Sequence, residues 1–172
     1  MNKIFNLLKF AFLIFFLSLY SVSCKKNACD SKDCGAYSND CKNGTCNCPE
    51  GVSKDSDGKC SVLDREKVIK NWATTTTSDC GISYQSGTVL TISSGSISEY
   101  SAIKIDFGGG LNIFPILSAK IIENNITIDS QNLGGDNYSG SGSITSNGQV
   151  ISITLTRIKN NGDKCIFLIQ GT

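Results

Sequence analysis

Cysteine spacing constrains this chain more than any other feature, because six of its nine cysteines lie between Cys29 and Cys60. They follow the pattern C-x4-C-x6-C-x4-C-x-C-x11-C. Spacing alone does not choose among the possible disulfide pairings. Metal binding by Cys46 and Cys48 is the alternative, but the paired C-x-x-C spacing of zinc sites is absent. The pattern therefore favours a small module that is stabilised by disulfides.

The N-terminus predicts export, and export supplies the oxidising compartment that disulfides require. Lys3 and Lys9 precede an almost wholly apolar run from Phe10 to Tyr20. An apolar run this short behind lysines is typical of a secretory signal rather than of a membrane span.

The residues after this run, Ser21-Val22-Ser23-Cys24, resemble the lipobox of bacterial lipoproteins, with Ser21 in the place of the usual leucine. The resemblance implies a signal peptide at residues 1–23, lipidation of Cys24 and a tether at residues 24–28. It also implies a lipid-anchored protein of the bacterial outer membrane or cell surface. Ordinary secretion with an unmodified Cys24 is the alternative. Parity favours lipidation, because nine cysteines cannot all pair and removing Cys24 leaves an even number.

Residues 29–60 resemble an EGF-like module. The likeness rests on Cys46-x-Cys48, on the Pro49-Glu50-Gly51 that follows, and on the Asn43-Gly44 turn before Cys46. The acidic cluster of calcium-binding members is missing before Cys29, so no metal is expected. The resemblance implies the pairs Cys29–Cys41, Cys34–Cys46 and Cys48–Cys60.

After this module the sequence changes to a β pattern. Ser61 to Asn71 is the one stretch that predicts a helix, with Asp64 early and Lys67 and Lys70 late to match the helix dipole. Beyond it, short alternating runs of Thr, Ser, Ile and Val predict eight strands. The predicted strands are Trp72–Thr77, Ser83–Ser93, Ser101–Phe107, Ile116–Ile122, Ile126–Gln131, Tyr138–Thr145, Gln149–Ile158 and Lys164–Gln170.

Apolar and polar residues alternate in three of these strands, which predicts one buried and one solvent-exposed face, as in an antiparallel sheet around a single core. The predicted inward residues are Ile103, Ile105, Phe107, Ile126, Ile128, Ile151, Ile153 and Leu155. Short connections at Asn124-Asn125 and Asn147-Gly148 predict consecutive hairpins, and Gly134-Gly135 is expected to be a flexible connection. Closure into a barrel would hide the sheet edges. In a closed meander the first and last strands are neighbours. The two remaining cysteines, Cys80 after the first strand and Cys165 in the last, are therefore expected to form a disulfide.

The C-terminal half resembles the small lipocalin-like domains of bacterial lipoproteins. The likeness rests on Arg65-Glu66-Lys67 running to Trp72, and on Ile126–Gln131 followed by Ser139–Ile144. It implies a mainly β fold, with an eight-stranded antiparallel up-and-down barrel at residues 62–172 behind the EGF-like module. Trp72 is interpreted as a plug of the core rather than as a ligand contact.

The composition argues against two classes of function, nucleic-acid binding and histidine-dependent catalysis. Lys plus Arg is 16 and Asp plus Glu is 15, so no basic field would attract a nucleic acid. Histidine, the commonest general base, is absent. The carboxylates of the barrel half fall in predicted turns or on polar strand faces, which is the ordinary position of solvated charges; they are Asp106, Glu123, Asp129, Asp136 and Asp163.

These features predict a membrane-anchored binding or structural module that is not an enzyme and has no cofactor or metal. We expect a monomer with a mostly filled barrel, which contacts an envelope protein or a glycan through the loops around Gly108–Gly110 and Leu133–Tyr138. The alternative is a lipocalin-like carrier of a small apolar ligand.

Overall fold

The computed structural model describes residues 28–38, 40–81, 84–108 and 114–172, and of residues 84–87 it describes only the backbone. The predicted signal peptide, Cys24 and the tether as far as Asn27 lie outside the described residues. So do Ser83, predicted to begin the second barrel strand, and the Gly109-Gly110 part of a predicted contact loop.

The cysteine module contains two short antiparallel hairpins. They are formed by β1 (Cys41–Lys42) with β2 (Thr45–Cys46), and by β3 (Val52–Lys54) with β4 (Cys60–Leu63). Three disulfides join them in the pairing that the resemblance implies: Cys29–Cys41, Cys34–Cys46 and Cys48–Cys60. The buried residues of this module are few, so the bridges supply much of what a larger apolar core would otherwise contribute.

The rest of the chain forms a closed antiparallel barrel of eight strands. Its strands are β5 (Asn71–Ser78), β6 (Tyr84–Ser94), β7 (Ala102–Asp106), β8 (Leu117–Ile122), β9 (Asn125–Leu133), β10 (Asp136–Ile144), β11 (Ile151–Ile158) and β12 (Lys164–Gly171). Each strand pairs with the next along the chain, and β12 returns to pair with β5, where Leu168 lies opposite Thr77. The predicted fold class is therefore confirmed.

The side chains that fill the barrel interior are the ones that the alternation of apolar and polar residues predicts. All eight residues that were predicted to face inward are buried. Trp72 is fully buried at the start of β5, where its indole N–H donates to the carbonyl oxygen of Val68 at 3.0 Å. The ammonium of Lys70 lies 3.9 Å from the centre of its ring. Trp72 is thus a core plug, as predicted.

The predicted helix from Ser61 to Asn71 is wrong. Its first residues continue β4, a single 3-10 turn follows at Asp64–Lys67, and β5 begins at Asn71. Leu63 is held in the β3–β4 ladder opposite Val52, which leaves too few residues for a stable α-helix. Tertiary pairing therefore overrides the local charge pattern.

Two connections also differ from expectation. Gly134-Gly135 was predicted to be a flexible connection but forms the tight turn between β9 and β10. Both glycines have positive φ, as a two-residue hairpin turn requires. The β8–β9 turn lies one residue earlier than the predicted Asn124-Asn125, with Glu123 in the left-handed region at φ 56°.

Candidate functional site

The antiparallel meander sorts the barrel connections into two ends. The junction end carries the 3-10 turn, the β6–β7 connection (residues 95–101) and the β8–β9 turn, and it meets the cysteine module. The free end carries the connections that follow Ser78, Asp106, Leu133 and Ile158. Both predicted contact loops belong to the free end, so the structure brings their described residues to the end opposite the module.

A buried carboxylate fastens the junction end. Asp64 is 1 % exposed and accepts three hydrogen bonds from three different elements. One oxygen accepts from the Ser53 hydroxyl in β3 at 2.5 Å and from the Lys67 ammonium at 3.1 Å. The other accepts from the backbone N–H of Glu123 in the β8–β9 turn at 2.6 Å. Asp64 thus ties the module, the 3-10 turn and the barrel together.

The β6–β7 connection makes a second set of junction contacts. The rings of Tyr37 in the module and Tyr100 in the connection pack edge to face, with centroids 5.2 Å apart. Arg65 donates to the carbonyl oxygen of Glu99 at 3.2 Å. The backbones approach so closely that a Cβ at Gly51 would lie 2.4 Å from the backbone nitrogen of Ser101. These contacts leave the module docked on the barrel rather than linked to it by a loose chain.

The free end is covered by aromatic side chains. Phe114, which precedes β8, is buried and enters from a connection rather than from a strand. Its ring lies 4.8 Å from that of Phe167, 5.1 Å from that of Phe107 and 6.4 Å from that of Tyr138, measured between centroids. Such tilted and edge-to-face pairs stabilise beyond simple burial. Desolvation raises the pKa of the Tyr138 phenol, which therefore stays neutral in ordinary buffers.

A half-buried ion pair lies above this aromatic cluster. The Arg157 guanidinium contacts one Asp136 oxygen through two nitrogens, at 2.5 and 2.7 Å, and lies 5.9 Å from the Tyr138 ring centre. The other Asp136 oxygen accepts from the backbone N–H of Asn160 at 3.0 Å. The hydrogen bond from Arg157 is the main cause that lowers the pKa of Asp136. The pair fixes the β9–β10 turn to the β11–β12 connection.

The structure contains the disulfide between Cys80 and Cys165 that strand adjacency predicts, and it lies at the free end. An Asp79 carboxylate oxygen beside it accepts from the backbone N–H of Ile166 at 2.8 Å. Among the described residues, these two cysteines and Asp79 are the only group of ligand atoms close enough to share a metal ion. The disulfide occupies both sulfurs, and thiolates are required for metal binding. This cluster is therefore a cross-link rather than a metal site.

The remaining sequence candidates do not converge on one cleft. Glu123 lies at the junction end, Asp129 on β9, and Asp163 in the β11–β12 connection, where its carboxylate accepts from the Asn161 amide at 2.9 Å. Sequence reasoning missed the roles of Asp64 and Phe114. The sequence places Asp64 early in a predicted helix, as a charge that matches the helix dipole, and no local signal marks Phe114.

Within the described residues, no helix is long and apolar enough to cross a membrane. The chain matches no protein-family model and no curated protein sequence. Function must therefore be argued from the geometry of the two barrel ends.

Proposed function

We propose that this protein is an exported, lipid-anchored binding module of the bacterial cell envelope, without catalytic activity. In this proposal residues 29–60 are an EGF-like stalk, and the barrel is a lipocalin-like head that binds an envelope protein or a glycan through its free end.

The observation that carries the proposal is the fixed docking of the module at the junction end. An anchor that precedes the module would then lie on the junction side of the barrel, and the free-end connections on the opposite side. Asp64 and the Tyr37–Tyr100 contact hold this arrangement, so the free-end connections would be presented away from the membrane. Loops on a rigid scaffold commonly carry binding residues.

Lipidation of Cys24 is supported by the cysteine count. The four bridges use eight of the nine cysteines, and the ninth is Cys24. Free thiols are uncommon in exported proteins, whereas a cysteine at the signal cut is the residue that a lipoprotein modifies.

Two matched turns test the contact surface. Asn161-Gly162 lies at the free end and Asn147-Gly148 at the junction end, and both asparagines are exposed. Protein immobilised through its N-terminus would be exposed to solubilised envelope proteins and to envelope glycans. We expect Asn161→Arg to abolish specific capture and Asn147→Arg to leave it unchanged. Equal loss in both variants, or capture that neither variant changes, would exclude the free end as the binding surface.

A carrier of small apolar ligands is the second candidate, because Phe114 covers the core from a connection and could be displaced by a ligand. Small eight-stranded barrels are either filled by side chains or hold one small ligand. Fatty acids and environment-sensitive dyes would be titrated into the protein. Saturable one-to-one binding that Phe114→Ala alters would favour the carrier over the loop-binding module.

A further inference from the structure

Three asparagines of the chain are directly followed by glycine, and all three are exposed in turns. They are Asn43, Asn147 and Asn161. Asparagine is a thermolabile residue, because the backbone nitrogen of the next residue can attack the carbon of its side-chain amide. Glycine has no side chain to shield that nitrogen. By sequence alone the three sites are therefore equally susceptible.

The structure separates the three sites by the hydrogen bond of the glycine N–H. In the turn between β10 and β11, the Gly148 N–H donates to the carbonyl oxygen of Thr145 at 2.8 Å. In the connection between β11 and β12, the Gly162 N–H donates to the carbonyl oxygen of Lys159, also at 2.8 Å. At both sites the nitrogen that would attack the asparagine is thus already bonded to a backbone carbonyl.

The turn between β1 and β2 is of another type. Asn43 and Gly44 are its two central residues, and both have positive φ, at 52° and 76°, as a type I′ turn requires. The hydrogen bond that closes such a turn joins the flanking residues, here Lys42 and Thr45, and leaves the central glycine N–H out. The Gly44 N–H donates instead to Cys29 Sγ at 3.3 Å, and sulfur is a weak acceptor. The attacking nitrogen is therefore least restrained at this site.

The asparagine side chains differ in the same direction. The Asn147 side-chain oxygen accepts two hydrogen bonds, the shorter from the Thr145 hydroxyl at 2.7 Å. The Asn161 amide accepts from the backbone N–H of Asp163 at 3.1 Å and donates to its carboxylate at 2.9 Å. Among the described residues, the Asn43 side chain has no hydrogen-bond partner. It can therefore rotate towards the attacking nitrogen without first breaking a bond.

We propose that Asn43 is a site of spontaneous covalent modification, where the amide becomes a carboxylate while the chain stays folded. The Gly44 backbone nitrogen loses its proton and attacks the side-chain carbon of Asn43. The new carbon–nitrogen bond closes a succinimide ring, and the amide nitrogen leaves as ammonia. Water then opens the ring at one carbonyl to give aspartate, or at the other to give isoaspartate. The reaction consumes water and releases ammonia, and it needs no oxidant or enzyme.

Isoaspartate at this position would change the module locally. Its side-chain methylene becomes part of the main chain, which lengthens a turn that has only two central residues. Strands β1 and β2 have 2 residues each, so their pairing of Cys41 with Cys46 should be lost. The bridges from these cysteines to Cys29 and Cys34 would still hold the module together. The site lies in the cysteine module, so it does not depend on the free-end binding proposed above.

The test is peptide mapping by mass spectrometry of the full chain, kept folded in detergent micelles at mildly alkaline pH. We expect Asn43 to convert at least about tenfold faster than Asn147 or Asn161, the factor that corresponds to about one net hydrogen bond that must be broken at the other two sites. After reduction and unfolding in guanidinium, the three sites should convert at similar rates. Equal rates in the folded protein, or a faster rate at Asn147 or Asn161, would overturn the proposal. So would an unmodified Asn43 after a period in which the unfolded chain converts completely.

The products and one variant test the mechanism. Methylation by an isoaspartate-specific methyltransferase should label the Asn43 peptide, whereas aspartate without isoaspartate would mean direct hydrolysis of the amide and would exclude attack by Gly44. Thr145→Val removes the hydroxyl that holds Asn147, so conversion should accelerate at Asn147 and stay unchanged at Asn43, the internal control. An unchanged rate at Asn147 would also overturn the proposal, because side-chain hydrogen bonds would then not set the order of the sites.

Discussion

Replacement of Asp64 by asparagine should destabilise the whole chain, because the carboxylate lies at the point where three elements meet. Asparagine has nearly the same shape but only one acceptor oxygen. That oxygen can still accept from both Ser53 and Lys67, which share one carboxylate oxygen, but these two bonds lose their charge assistance, and the amide nitrogen then faces the Glu123 N–H and leaves it unpaired. An unpaired buried N–H costs about 1 kcal/mol at the low end of the usual range, and losing the charge costs about 1 kcal/mol for each remaining bond, which gives a loss of about 3 kcal/mol.

Removing one partner of a buried ionic contact usually costs at least this much. For a folded unit of this size, a loss of about 3 kcal/mol lowers the melting temperature by about 6–12 °C. The assay is thermal and urea unfolding of the disulfide-intact protein, followed by circular dichroism. A change below about 2 °C in the Asp64→Asn variant would refute the reasoning, because it would mean that the junction does not depend on the carboxylate.

Asp55→Asn is the matched control within the same module. Its carboxylate also accepts three hydrogen bonds, from the backbone N–H groups of Asp57 and Lys59 and from the Ser61 hydroxyl. Asp55 is only partly buried, whereas Asp64 is fully buried, so water can replace some of these partners and we expect a clearly smaller effect than at Asp64. A larger effect at Asp55 would show that the module, rather than its junction with the barrel, limits stability.

Three further predictions concern the anchor, the barrel bridge and the ion pair. Cys24→Ala should move the mature protein from the membrane fraction to the soluble fraction, and retention on membranes after a high-salt wash would contradict lipidation. Loss of both Cys80 and Cys165 should lower the free energy of unfolding by as much as about 4–5 kcal/mol in the loop-entropy model, measured by urea titration; an unchanged midpoint would contradict it. The lowered pKa of Asp136 makes its pairing with Arg157 stabilising above about pH 4, and this contribution is lost as the pH falls through the lower folded-state value. Asp136→Asn should therefore show a flatter acid dependence of the melting temperature than the parent protein, and identical acid profiles would count against the pair.

Patterns that repeat along the chain predicted most of the architecture. Period-two alternation placed Ile103, Ile105 and the other inward residues correctly, because a strand has only two faces and one of them is buried in the core. The likeness to EGF-like modules implied the three bridges of the module. Closure of an antiparallel meander places the end of the first strand beside the start of the last, and the sequence therefore also predicted the bridge between Cys80 and Cys165.

Features that depend on residues distant in the chain were decided only by the tertiary structure. The local sequence around Asp64 favours a helix terminus. Its burial depends on Ser53 and Glu123, which approach it only when the module docks on the barrel.

The same holds for the bulge in β9 and for the free end that the aromatic side chains cover. The β9 bulge opposite Ser139 adds one residue without changing the polar character of the segment around Asp129, so alternation cannot locate it. Phe114 lies outside any strand, and its burial depends on the aromatic rings that three strands bring to the free end. Periodic patterns therefore determined the faces and the strand order, whereas close contacts between distant segments determined the junction, the β9 bulge and the covered free end.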